Sequence, residues 1–197
     1  TGYMRNGVDK KTARERIAVG CNWMCVPGKE YPMNDTVKIN LLRTFEVSYD
    51  EMMSEGDPSV SHLFDIYKKH LKIAVDATGN GIIHHLKYQS KSQPELILNL
   101  FQHGLIAKGV NITDGGANYY NMCVDGSGLA VVADSFAALE QRIEREKKLT
   151  YDELDAHIKA NYEDKDGEYI RQLMLHSERY GGGNSLGDEW AERIKAR

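Results

Sequence analysis

Cysteine is scarce in this chain. The three present, Cys21, Cys25 and Cys123, are odd in number and too few for a disulfide framework, which fits a reducing, cytoplasmic setting and leaves cysteine for packing or chemistry. Long apolar runs are absent, and the N-terminus lacks the charged, apolar and small-residue regions of a secretory signal. No membrane partner is expected. Neither charge sign is blocked into a stripe: 25 basic residues stand against 29 acidic ones spread along the chain, a balance that draws neither nucleic acid nor an anionic surface. There is no internal repeat and no low-complexity segment. What is abundant is ordinary core material, 41% hydrophobic residues over 197 positions, enough to fold. The chain opens on Thr1 without an initiator Met and closes on a helical pattern through Trp190 and Ile194, so a segment of something longer is expected.

Helix formers run from Asp9 to Ala18 and stop at Gly20-Cys21, which places the first cysteine on a loop tip. Pro27, Gly28 and Pro32 exclude regular helix up to about residue 32, and Asn34 or Asp35 is a plausible N-cap for an amphipathic helix to Met53. Asp57-Pro58-Ser59 starts a second helix whose apolar positions recur at three and four residues, with a break expected at Gly79-Asn80-Gly81. Ser92-Gln93-Pro94-Glu95 reads as a capping box opening a helix from Leu96 to Lys108, ended by Gly109. A short strand is predicted over Val110-Asn111-Ile112-Thr113, followed by a turn into Ala117–Met122, and helix from about Val132 to Lys148. Thr150-Tyr151-Asp152-Glu153 is a second capping box, opening a helix to Asn161.

A thiol on a glycine-adjacent loop between two helices is placed to meet a small molecule, although a free cysteine is more often simply buried. The surroundings of Cys21 sharpen this. Gly20-Cys21, Pro27-Gly28-Lys29 and Asp35 resemble the cysteine loop of glycyl radical enzymes, the family of pyruvate formate-lyase, glycerol dehydratase and choline trimethylamine-lyase. A longer match runs from Gln93 to Ala138, through Thr113-x-Gly115-Gly116-Ala117 and Ala133-Asp134-Ser135. It continues through Leu149-Thr150, Leu154, Ala160-Asn161 and Arg171-Gln172 to Tyr180-Gly181.

The resemblance implies an α/β fold, a partial ten-stranded barrel whose share here is mostly helical with short strands. The whole of 1–197 would form the C-terminal part of the barrel domain, ahead of a glycyl radical domain that this chain lacks. It implies an anaerobic cytoplasmic enzyme acting on a small organic substrate, with Cys21 as the thiyl radical carrier and Asp35, at the matching distance downstream, in proton transfer or substrate contact. No cofactor is expected on this chain. The glycyl radical would be installed elsewhere by an activating enzyme that uses S-adenosylmethionine and an iron-sulfur cluster, and the full-length protein is expected to be a homodimer. These 197 residues alone are expected to be inactive.

Two departures bear on the reaction. The dehydratase and choline lyase branch has a glutamate base two residues after the cysteine, where this chain has Trp23. A simple diol dehydratase is therefore doubtful, and Trp23 is read either as a pocket wall beside an apolar or aromatic substrate or as a loop anchor. Pyruvate formate-lyase has two adjacent cysteines, whereas Asn22 follows Cys21 here. Formate C-acetyltransferase chemistry would need Cys25 as acyl carrier. Glu30, Asn118 and Tyr120 complete the candidate substrate contacts, with Cys123 read mainly as packing. A protein that keeps the fold and only binds is the rival from another class. Three features are declined: the glycine-rich turn Tyr180–Asn184, the Asp164-Lys165-Asp166-Gly167 run, whose register fails as a calcium loop, and His84-His85, which point to different helix faces.

Overall fold

A computed structural model describes residues 2–20 and 23–195, and of Asn34, Asp35 and Thr36 it describes the backbone only. The chain divides into two compact units, one of residues 1–38 and 76–125 and the other of residues 39–75 and 126–197.

The first unit opens with two short helices, α1 (Gly2–Arg5) and α2 (Lys10–Arg14). The Asp9 carboxylate caps α2 by accepting from the amides of Lys11 and Thr12. The helix expected to reach Ala18 stops at Arg14. Ile17 and Val19, both β-branched, instead form β1 (Ile17–Val19), antiparallel to β2 (Trp23–Cys25).

β3 (Glu30–Asn40) follows, paired with β4 (Tyr119–Ser127) in a second two-stranded sheet. This corrects the expected helix start at Asn34 or Asp35. Tyr31, Met33, Val37 and Ile39 alternate with period two, which is the strand pattern, and Pro32 is tolerated because a two-stranded sheet is all edge. Asp35 therefore lies within a strand, and the helix after it is capped by Asn40, whose Oδ1 accepts from the Arg43 amide at 2.9 Å.

The helix expected over Leu96 to Lys108 is also absent. A 3₁₀ turn over Leu98–Phe101 and a single-turn helix α5 (Leu105–Lys108) take its place. Between them Gln102 is extended, its Nε2 donating to the Glu30 carbonyl at 3.2 Å, and the His103 amide donates to the Gly28 carbonyl at 2.8 Å. These tertiary bonds outbid helix continuation. Val110–Thr113 is no strand either: the Asn111 side chain accepts from the Thr113 amide at 2.9 Å and fixes a 3₁₀ turn over Ile112–Asp114.

The second unit contains α3 (Leu41–Glu55), the start of the 33-residue helix α4 (Val60–Ser92), α6 (Leu129–Leu139), α7 (Tyr151–Lys159), α8 (Gly167–Leu175) and α9 (Leu186–Lys195). α4 runs unbroken through Gly79-Asn80-Gly81. Each helical glycine costs about 1 kcal/mol against alanine, less than abandoning a long propagating helix. α6 continues as a π segment over Glu140–Arg145. The predicted capping box is present, with Thr150 and Glu153 exchanging side-chain and backbone bonds.

The core centres on Phe136 of α6. Its ring stacks on Trp190 at 4.5 Å and meets Phe45, Phe64 and Tyr67 edge-on at 5.0, 5.6 and 5.6 Å. Ala133, Ala137 and Ala191 are fully buried, small enough to let α6 and α9 approach closely. Trp190 Nε1 donates to Glu140 at 2.8 Å, so the one polar atom of the largest core side chain is satisfied. The glycine-rich stretch before α9 folds around Asp188, whose carboxylate accepts from the amides of Gly181, Gly183 and Ser185. Among the described residues no helix is long and apolar enough to cross a membrane, and no cluster of metal-ligating side chains forms, Asp164 and Asp166 included.

Candidate active site

The cysteine loop is built as a ribbon. β1 and β2 pair Ile17 with Cys25, Ala18 with Met24 and Val19 with Trp23, so only residues 20, 21 and 22 join the strands. Cys21, the middle one, and Asn22 lie outside the described residues.

Gly20 is required twice over. Its φ is +58°, and a Cβ there would sit 3.0 Å from Cδ1 of Trp23. The indole is thus folded back across the glycine that precedes the cysteine, half-buried on β2. Gly28 is constrained as tightly: φ is +69°, and a Cβ would meet the His103 ring at 2.5 Å. That close approach explains a glycine in Pro27-Gly28-Lys29. Lys29 then ties the turn down, accepting at its carbonyl from the Asn118 and Tyr119 amides at 3.0 and 3.1 Å and placing Nζ 2.6 Å from Glu15.

Beneath the ribbon lies Glu30, 2% exposed. Its carboxylate accepts from the Val26 amide at 2.7 Å and stands 3.1 and 3.2 Å from the Tyr3 hydroxyl. Tyr3 shares its single hydrogen between that carboxylate and the Met24 carbonyl at 2.6 Å. Burial, with the Glu30 charge second, pushes the Tyr3 phenol up to about 12. Cys25 is 8% exposed, and burial followed by the Glu30 charge pushes its thiol up as well. Cys123 is also pushed up, by burial first and then by Asp125 and Glu30. Both cysteines are therefore held as thiols, poor nucleophiles at neutral pH.

Of the sequence-derived candidates, Cys25 and Glu30 come together around Tyr3. The Asp35 side chain lies outside the described residues. Asn118 is exposed and contributes its backbone. Tyr120 is spent on structure: its hydroxyl donates to the Ile112 carbonyl and accepts from the Ala117 amide, and its ring packs edge-on against Tyr31 at 5.9 Å. Tyr3 was not legible as a site residue, since a single tyrosine in a polar N-terminal stretch carries no spacing or motif.

The pyruvate formate lyase-like family model matches residues 1–197. The chain belongs to that family. It is 26% identical over 205 aligned residues to (2S)-3-sulfopropanediol dehydratase of Klebsiella oxytoca, covering 95% of this chain and 24% of that protein. To trans-4-hydroxy-L-proline dehydratase of Clostridioides difficile it is 29% identical, covering 71% of this chain and 18% of that protein.

Among solved structures, hydroxyproline dehydratase from Clostridioides difficile with its substrate bound superimposes with a TM-score of 0.79 at 26% identity, covering 97% of this chain and 26% of that one. A structure on 1,2-propanediol dehydration in Roseburia inulinivorans gives 0.86 at 24% identity, covering 98% and 26%, a likeness of fold. These neighbours are glycyl radical enzyme barrels, and the chain has the fold of one part of such a barrel, mostly helical with short strands. It spans about a quarter of the length of the curated relatives, or less.

Proposed function

We propose that this chain is the cysteine-loop part of a glycyl radical lyase that eliminates a group from a small organic substrate by hydrogen-atom transfer at Cys21. The observation that carries the reading is the Val19–Trp23 pair, which closes a connection of three residues with Cys21 in the middle. The paired strands set where the connection carrying Cys21 begins and ends, and radical transfer depends on position. A glycyl radical, on a segment outside this chain and generated by a separate S-adenosylmethionine-dependent activating enzyme, supplies the unpaired spin. Cys21 then removes a hydrogen atom from a substrate carbon and returns one after the neighbouring group has left. The chain's contribution is to hold that sulfur, orient substrate beside it and exclude water and oxygen. The relatives are dehydratases or, in one case, an isethionate sulfite-lyase, which supports elimination from a small substrate.

Trp23 shapes the substrate class. A flat indole lies against Gly20, next to the residue that would carry the radical, where the dehydratase branch has a carboxylate base. This favours a substrate with an apolar or aromatic group beside the reacting carbon over a bare diol. Acyl transfer through Cys25 is disfavoured by a buried thiol held protonated. Leu96, Ile97, Leu100, Phe101 and Ile106 are each between 66% and 75% exposed, an apolar surface that supports placing the chain within a larger barrel.

The test is anaerobic turnover of the activated, intact gene product on a panel of hydroxylated small molecules. Preference for members carrying an aryl or alkyl group beside the hydroxyl is expected. A preference for glycerol would overturn the role given to Trp23.

A further inference from the structure

We propose that Tyr3 and Glu30 form a buried clamp that positions the cysteine ribbon for hydrogen-atom transfer, making both positioning residues of the reaction proposed above, on which this inference rests. Glu30 is 2% exposed, and among the described residues no lysine or arginine is paired with it. A buried carboxylate without a cation is a poor way to gain stability, because an apolar side chain of the same volume does as well or better. Its contacts show what it does instead. One oxygen takes the Val26 amide just beyond the end of β2, and both oxygens face the Tyr3 hydroxyl, which itself reaches the Met24 carbonyl inside β2.

The carboxylate and phenol therefore grip the two residues on either side of Cys25, and Met24 stands three positions after Cys21 in a strand paired back to β1. The clamp is anchored outward on two sides: Tyr3 sits on α1 (Gly2–Arg5), and the Glu30 backbone carbonyl accepts from Gln102 at 3.2 Å. At 2% exposure, with its carboxylate turned to Val26 and Tyr3, Glu30 is not presented to a substrate. Its effect on chemistry passes through the geometry of β2.

The experiment uses the intact, activated enzyme with Tyr3→Phe and Glu30→Gln. Three quantities are read: hydrogen exchange at the Val26 amide, the rate of Cys21 alkylation by iodoacetamide in the unactivated protein, and kcat separately from KM. Tyr3→Phe keeps the ring and deletes the hydroxyl, so Val26 exchange and Cys21 alkylation should each change about tenfold, the scale of one lost bond to a charged group. Its kcat should fall by roughly tenfold to a hundredfold with KM little changed, the cost of a misplaced reacting group. Glu30→Gln retains an acceptor for Val26 and should recover most of the parent behaviour. Unchanged exchange and alkylation in both variants would overturn the clamp. A raised KM at parent kcat would overturn it too, by making Glu30 a substrate contact. Loss of the radical reading would show separately, as turnover surviving Cys21→Ala, while the exchange and alkylation data still judge the clamp.

Discussion

Replacing Gly20 by alanine tests how tightly the cysteine ribbon is specified. At φ +58° an alanine pays the left-handed penalty of about 1 kcal/mol, partly offset by a less flexible unfolded chain. Its methyl would also lie 3.0 Å from Cδ1 of Trp23, well inside the ordinary 3.5 to 4.0 Å carbon separation, so the indole must move. Together these give a local destabilisation of about 1 to 2 kcal/mol. The strain is confined to the ribbon, so the assay is hydrogen exchange of the β1 and β2 amides in the intact protein. Exchange should quicken roughly 5- to 30-fold. In a Trp23→Ala background the steric part disappears, and Gly20→Ala should cost only the backbone part, about 1 kcal/mol. Parent-like exchange in Gly20→Ala, or the same cost in both backgrounds, would refute the packing of the indole on Gly20.

Three further outcomes follow from the packing and electrostatics. Tyr67 is fully buried and its hydroxyl has no hydrogen-bond partner among the described residues, so Tyr67→Phe should raise stability by about 1 kcal/mol, read as a higher denaturant midpoint. Phe136→Ala removes the ring on which Phe45, Phe64, Tyr67 and Trp190 converge and should cost about 3 to 5 kcal/mol by the same measurement. The Tyr3 phenol, raised from about 10 to about 12, contributes stability that is whole below pH 10 and is lost as pH rises through 12. The parent should therefore converge on Tyr3→Phe across that window, by at most about 2 kcal/mol in a pH series of denaturant melts.

The close approach of the distant His103 ring to Gly28 was not legible, but the turns beside the cysteine were, because their constraints are local: Gly20 and Gly28 sit at positive φ, +58° and +69°, and Pro27 opens a turn. The α7 capping box was legible for the same reason. The errors fall where distant contacts decide. Leu96 to Lys108 has helical spacing, yet Gln102 and His103 are claimed by the backbone of Glu30 and Gly28, some seventy residues earlier. Asp35 stood in a good capping context, but the period-two pattern from Tyr31 to Ile39 prevailed. Glu30 was read as a substrate contact because a carboxylate in a cysteine loop suggests one. That its oxygens face Val26 and Tyr3 follows only from the fold bringing α1 against β2 and β3.

The most direct test of the central claim is to activate the intact enzyme anaerobically as parent and as Cys21→Ala, and to record the electron paramagnetic resonance signal and turnover from the same sample. The account predicts a radical signal of parent amplitude in Cys21→Ala with no turnover, because the spin is stored elsewhere and Cys21 alone delivers it to substrate. Turnover persisting in Cys21→Ala, with the radical present, would contradict it.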